Sequence, residues 1–429
     1  MITDLLVSIV FLLFLGAGLF NPFVALCGVV WVDVVKPQEL SYSFLNGQPM
    51  SAIVTALCLG SLILNMKKLS KPGAMGTVFF ASLMVGWVTI TTYQAGHPEV
   101  AWIKYEVAAK TIIISLLFPF VINTREKFEC VLWVLAISVG LFIFNAGVKT
   151  MFGGGGYAFQ VITGAENSGI TETSTLAAIC VMMQPIYFFL YKYSKFAANS
   201  KWAKMYLLSM PFIAIIAIIG TFARTGLVSL FVLLAFVFFQ SKNKGKLLVY
   251  MLFGCILMVP LASDQWFNRM STITDAGQED SALGRLLVWR WTIDYAAENP
   301  IFGGGFYAYL DNENELAQYT QEGESLFFNN DAKAFHSFFF EVLGEHGYVG
   351  LAIYLSMIAF AFAALRKTVK EDTDDWSRVL AQAMMGAFLA FLVGGLFVGV
   401  AFEPWIFYLC LLSVSIRTVL VREQRLKVA

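Results

Sequence analysis

The chain reads as an all-α, polytopic integral membrane protein, and three observations carry that reading. Of its 429 residues 58% are hydrophobic and only 14% charged, with a mean hydropathy of +0.71; a soluble domain of this length needs about a quarter of its residues charged to cover its surface. Apolar runs close to the ~20 residues that cross a bilayer recur from end to end. Those runs are continuously apolar and do not alternate, which excludes a transmembrane barrel. Lys plus Arg and Asp plus Glu each number 29, so the zero net charge says nothing of partners.

The spans fall near 4–20, 22–36, 50–66, 74–93, 106–122, 128–149, 172–191, 204–221, 224–240, 247–263, 347–365, 379–401 and 405–420. Asn21-Pro22 either kinks one long first helix or turns the chain between two short ones, because proline interrupts the helical ladder. Twelve crossings with a cytoplasmic N-terminus is the reading adopted; a turn at Asn21-Pro22 makes thirteen. The first segment lacks a basic n-region, so it is expected to be retained and not cleaved. From residue 50 onwards every second connection is basic (Lys67–Lys71, Arg125–Lys127, Lys192–Lys204, Lys242–Lys246, Arg366–Lys370, Arg417–Lys427). These belong to the cytoplasm by the positive-inside rule. The opposite face receives 37–49, 94–105, 150–171 and a long external loop, 264–335. Within that loop Ser281 to about Glu298 is a candidate amphipathic helix, its Trp289, Trp291 and Tyr295 suited to a membrane interface. The chain is expected to be one membrane domain, 1–429, capped by this loop.

The six cysteines are widely spaced without a CxxC pair, so packing explains them better than metal or redox chemistry. No HExxH, Walker loop or nucleotide fingerprint occurs, and neither a cofactor nor a nucleic-acid partner is expected. "GGGG" at 153–156 reads as a loop, and "EDTDDW" at 371–376 as a solvated acidic turn in a short cytoplasmic connection. His97 is read as an external turn residue.

Chemistry is sought where charge breaks the pattern on the external side. Arg224, in "GTFARTGLVSL", lies between two spans on the face that should lack basic residues; it either snorkels to headgroups or meets an anion. Arg285 and Arg290, in "SALGRLLVWRW", stand five apart and so about 140° apart around a helix. Arg290 suits salt bridging to nearby acids or contact with substrate, while Gly284 before Arg285 lets a bulky anion approach the backbone. Lys104 and Lys110 sit at the external edge, where headgroup contact and phosphate contact both suit. In "AFHSFFFEVLGEHGYVG", one helix through 336–350 would place His336, Phe340, Leu343, Gly347 and Gly350 on a single stripe. Its glycines would permit close helix packing. Glu345 and His346 would form the polar approach to the next span. Taken alone, His336 reads as a hydrogen-bonded structural histidine, although its type suits general-base work near neutrality.

These residues resemble a known pattern. "HSFFFEVLGEHGYVG" is similar to the His-[Asn/Ser/Gln]-x9-Gly-x2-Gly signature of the O-antigen ligase superfamily, matched at His336, Ser337, Gly347 and Gly350. "FARTG" and "GR…W…NPIFGGGF" resemble the family's arginine segment and external-loop motif. "WVDVVKPQELSYSF" and "RMSTI…EDSALGRL" resemble a narrower group, the O-glycosylation ligases associated with exosortase A systems. That group often carries an Asp-Asn-Asn-like cluster where this chain reads "ENSGITETSTLA"; Glu172 is the acid available there. The resemblance implies an inverting, metal-independent transfer of a preassembled glycan at the periplasmic face of a bacterial inner membrane. The donor would be undecaprenyl diphosphate-linked and the acceptor a hydroxyl of lipid A-core or protein. His336, Arg224 and Arg285 would be catalytic, with Arg290, Lys104 and Glu172 binding substrate. An O-antigen-type polymerase is the alternative, and a transporter a third reading. Arginines aimed at the diphosphate oxygens fit this chemistry, since they stabilise the charge released as the glycosidic bond breaks.

Overall fold

The computed structural model describes residues 2–41, 44–153, 170, 172–258, 266–267, 270, 280–319, 331–371 and 374–428. Those residues are helical throughout, joined by turns and short loops. The "GGGG" stretch beyond Gly153, most of "ENSGITETSTLA" before Glu172 and large parts of the 264–335 loop lie outside them.

The N-terminal segment is a hairpin. Helices α1 (Ile2–Phe20) and α2 (Pro22–Val35) meet at Asn21, whose side chain accepts from Phe23 N–H while Pro22 takes the first helical position. Proline is tolerated there because that N–H has no helical partner. The helices run antiparallel: Phe14 packs on Trp31, and Asp4 Oδ2 accepts a 2.7 Å bond from Ser41 Oγ. The N-terminal end therefore lies beside Ser41, on the face that carries the 37–49 connection. The chain thus turns at Asn21-Pro22 and does not run through as a single kinked first helix.

A short turn of helix, α3 (Pro37–Leu40), leads to α4 (Met50–Leu64), α5 (Gly76–Tyr93), α6 (Pro98–Val121) and α7 (Arg125–Gly153). Next come α8 (Thr173–Tyr193), the short α9 (Lys195–Asn199), α10 (Lys201–Gly220), α11 (Arg224–Gln240) and α12 (Lys244–Met258). The loop helix α13 (Asp280–Glu298) precedes α14 (Phe338–Glu371), α15 (Asp375–Gly395) and α16 (Pro404–Val428). Seven of these (α5, α7, α8, α10, α14, α15 and α16) are long and apolar enough to cross a membrane, and α1, α2, α4 and α11 are shorter apolar helices. Helix α6 is 24 residues long but interrupts its apolar face with Glu99, Lys104, Glu106 and Lys110.

The two ends of the bundle differ. At one end the basic connections gather: Arg125 reaches Tyr193 O and the Trp376 ring, Lys195 reaches Glu126, and Arg422 reaches Asn123 O. At the other end the loop around α13 closes over the helix mouths. Trp291 is buried, stacks on Tyr295 and donates to Glu315, while Trp289 stacks on Phe340 and donates to Phe335 O. The aromatic face of α13 thus packs inward. Val288, Trp291, Ala308, Leu316 and Phe335 form a small core that seats the loop as a lid.

Candidate functional site

The stretch 336–350 is not one helix. Gly347 adopts φ 66°, ψ −172°, and splits α14 into a nine-residue stub, 338–346, and a long span. A residue with a Cβ is strained at such a φ, and a Cβ at Gly347 would also stand 2.5 Å from Ile301 O. The break exposes backbone groups that need partners. Gly304 N–H donates to Gly344 O (3.0 Å), Gly305 N–H to Glu345 O (2.9 Å), Trp87 Nε1 to His346 O (3.0 Å), and Tyr348 N–H to Pro300 O (2.9 Å). "NPIFGGGF" is therefore the strand of chain that satisfies the broken helix. Gly350 leaves room for Trp87, whose indole nitrogen would lie 3.1 Å from a Cβ there. The expected stripe of His336, Phe340, Leu343, Gly347 and Gly350 does not form, because Gly347 supplies a positive φ and not merely a small surface.

The stub carries Glu341 and Glu345 one turn apart on one side, an arrangement that repels unless a cation intervenes. Lys104 Nζ of α6 supplies it, 2.7 Å from Glu341 Oε1 and 2.7 Å from Glu345 Oε1. Ala401 N–H donates to Glu341 Oε2 and Tyr307 N–H to Glu345 Oε1. The ammonium also faces the Phe306, Tyr307 and Phe402 rings at 5.3, 5.3 and 5.8 Å. Lys104 turns inward and is held by two carboxylates, so it does not snorkel to headgroups. His346 is fully buried, with Nδ1 2.7 Å from Thr91 Oγ1 and its ring against Phe306 and Phe402. Glu345 and His346 are interior groups, not a polar approach from solvent.

His336 lies just before the stub. Phe335, Ser337 and Phe338 are buried on either side of it, while its own side chain is 42% exposed. Its backbone is left-handed, φ 46°, a strained conformation for a residue with a side chain and one that clusters at functional sites. The imidazole Nδ1 stands 4.0 Å from Glu172 Oε1, at the start of α8. Loss of hydration holds the imidazole below its ordinary pKa; Glu172 opposes that, and the positive charge of Arg285 adds to it. The ring is thus neutral near neutrality and free to accept a proton.

His336, Glu172, Lys104, Glu341, Tyr307 and Glu403 line a cleft of about 290 Å³. Burial raises the Glu403 carboxyl to about 7, an effect that Lys36 counters and Glu341 reinforces. The remaining candidates are distributed as follows. Arg285, half-buried near the start of α13, is close enough to act on the His336 charge. Arg224 heads α11 and is half-buried. Gly226, two residues on, sits against Ala177 of α8, which puts Arg224 at the same end of the bundle as Glu172. Arg290 is exposed and lines a separate apolar groove with Leu286, Trp289, Ile293 and Phe340. The structure does not bring Arg290 to the cleft, as its angular offset from Arg285 requires. Ser337 is buried, and its carbonyl accepts from Glu341 N–H at 2.8 Å. Sequence reasoning missed Glu341, Glu345 and Glu403. Two carboxylates four apart inside "FFFEVLGE" were the available signal, since neither can enter an apolar span unpaired.

Residues 210–355 match the family model described as O-antigen ligase. Residues 2–195 match a second model, described as a family of unknown function. No curated protein matches the chain. The match at residues 210–355 supports an O-antigen ligase-like superfamily and, with it, a membrane glycan ligase or polymerase type of function. The matched ligase region holds Arg224, Arg285, His336 and Gly347; Lys104 and Glu172 come from the other matched region, and Glu403 from neither.

Proposed function

We propose that this protein is a glycosyltransferase that moves a preassembled glycan from an undecaprenyl diphosphate carrier to a hydroxyl acceptor, lipid A-core or protein, at the periplasmic face of a bacterial inner membrane. The observation that supports it best is His336: a strained, half-open imidazole kept neutral at the mouth of a polar cleft, with a carboxylate at 4.0 Å. In the reaction the acceptor oxygen attacks the anomeric carbon as the carbon–oxygen bond to the diphosphate breaks. The hydroxyl proton passes to His336, and the electron pair leaves with the diphosphate. Attack from the face opposite the leaving group inverts the anomeric centre. Arg224 and Arg285 act on the departing charge in the place a metal otherwise takes. Glu172 orients the imidazole and supports its protonated form. Lys104 offsets part of the negative charge of the two stub carboxylates and so lessens the repulsion of an anionic donor from the cleft.

The test is transfer by purified protein from a lipid-linked glycan. Loss of His336 as base, or of Arg285 as an electrostatic contact, is expected to cost on the order of 10²–10³ in rate, with activity persisting in EDTA. Near-full transfer by both His336→Ala and Arg285→Ala would sink the assignment. Chain extension on the lipid carrier, with no transfer to lipid A-core or protein, would assign the polymerase reaction to the same cleft.

A further inference from the structure

A second cavity adjoins the cleft. It measures about 150 Å³ and is lined by Asp33, Lys36, Gln38, Ser51, Lys110 and Glu403. Glu403 and Val107 line both spaces, so the two are neighbours across that pair. The polar wall is an integral part of the bundle. Asp33 accepts a 3.0 Å bond from Tyr408 Oη and lies 3.7 Å from Lys110 Nζ; Lys110 in turn donates to Ser51 Oγ. Lys36 is held in a left-handed conformation, φ 46°, between α2 and α3, and burial lowers its ammonium pKa. Gln38 Oε1 is buried and has no hydrogen-bond partner among the described residues.

The mixture of groups lining this cavity decides its ligand class. An anion site collects donors, yet here three carboxylates, Glu39 among them, line the space beside two ammonium groups, an amide and the hydroxyls of Ser51 and Thr111. Such a mixture of donors and acceptors matches a ring of neighbouring hydroxyl groups, each of which both donates and accepts. The room is that of a single sugar ring. Apart from Glu403 and the adjoining Pro404, every lining residue lies within 2–195, the region matched to a family of unknown function.

We infer that this cavity binds a sugar ring of the acceptor and presents its hydroxyl across Glu403 to the His336 cleft. The inference rests on the glycan-transfer reading above. It gives the N-terminal region a role separate from the donor chemistry of the ligase region, namely to select which hydroxyl-bearing glycan enters.

The experiment uses the full chain in a sugar-free detergent, with methyl glycosides of glucose, galactose, mannose and N-acetylglucosamine as probes in saturation-transfer NMR. At least one glycoside is expected to bind, and Gln38→Leu and Lys36→Met each to weaken it about tenfold, the scale of one lost hydrogen bond to a polar or charged group. Gln38→Leu removes no bond that the oxygen makes within the described residues, so it spares the fold; an unchanged gel-filtration profile checks this. Inorganic pyrophosphate should leave the sugar signal in place. Binding of no glycoside, binding indifferent to both substitutions, or displacement of the sugar by pyrophosphate or inorganic phosphate would each overturn the inference. In the transfer assay Gln38→Leu should raise the acceptor KM by a similar factor with the donor KM unchanged. Sugar binding without any transfer by the unaltered protein would remove the proposed function and leave the subsite standing. Transfer with an unmoved acceptor KM would remove the subsite alone.

Discussion

The two ends of the bundle use the same ionic chemistry to opposite effect. At the end with the basic connections, Lys195–Glu126 and Lys367–Glu371 are more than half exposed on both partners. Such pairs contribute about 0–1 kcal/mol each, because water screens them and two long side chains must be ordered. At the other end, Lys104, Glu341 and Glu345 have side-chain exposures of 20, 8 and 0%. There the desolvation cost is large, and only the close contacts with the ammonium, the Ala401 and Tyr307 N–H groups and the surrounding rings offset it. The first set marks one end of the bundle. The second fixes where two carboxylates sit, and with them the wall of a cleft.

Substitution should separate the ends sharply. Lys104→Ala leaves two buried carboxylates without their cation and is expected to destabilise the protein by about 3–5 kcal/mol, read as a fall in thermal midpoint in detergent. Combining Lys104→Met with Glu341→Gln and Glu345→Gln should restore most of that loss; a triple variant as unstable as Lys104→Ala would show that the ion cluster is not the cause. Next in size, Gly347→Ala forces a side chain into a positive φ and onto Ile301 O, with an expected cost of about 1–3 kcal/mol from backbone strain alone. Exposure of the "NPIFGGGF" loop to limited proteolysis should accompany it.

Glu403 gives a pH test of the same contrast. Its folded-state pKa is raised to about 7 from 4.5, so the folded protein holds a proton that the unfolded chain releases. Stability from this group is fully present below the unfolded value and is lost as pH rises through about 7. The thermal midpoint should therefore fall between pH 5 and 8, and Glu403→Gln should flatten that fall. A variant that loses stability over this range as steeply as the unaltered protein would assign the slope elsewhere. The smallest effect belongs to the exposed end: Lys195→Ala should change stability by less than about 1 kcal/mol, and a larger loss would undo the distinction drawn between the ends.

What could be read in advance follows from the same physics. That the basic connections share one end was legible because the cost of moving Lys and Arg across a bilayer acts on composition, and Arg125, Lys195 and Arg422 do gather there with their partners. The helix α13 was legible as an amphipathic segment, while the inward packing of its aromatic face, read as suited to a membrane interface, was not. The partners of Lys104 were not, since Glu341 and Glu345 lie 237 and 241 residues away. Gly347 stands out by its signature position, yet its sequence context suggests the wrong physical role. Smallness and positive φ both call for glycine, and only the backbone tells them apart. The hairpin of α1 and α2 was the alternative reading of Asn21-Pro22, and the capping bond to Phe23 and Ser41 reaching Asp4 carry it.

The interruption at Gly347 has a consequence for biogenesis. An acidic or basic side chain at the centre of an inserting helix costs about 2.5–3.5 kcal/mol on insertion scales, so an unbroken helix from 338 would carry two such penalties into the lipid. With the break in place, the segment after Gly347 can partition as an apolar span by itself. The stub can then be received by Lys104, already synthesised, and by the Gly303–Gly305 turn. Assembly of the cleft is thereby separable from membrane insertion, since the stub can dock after the spans are in place.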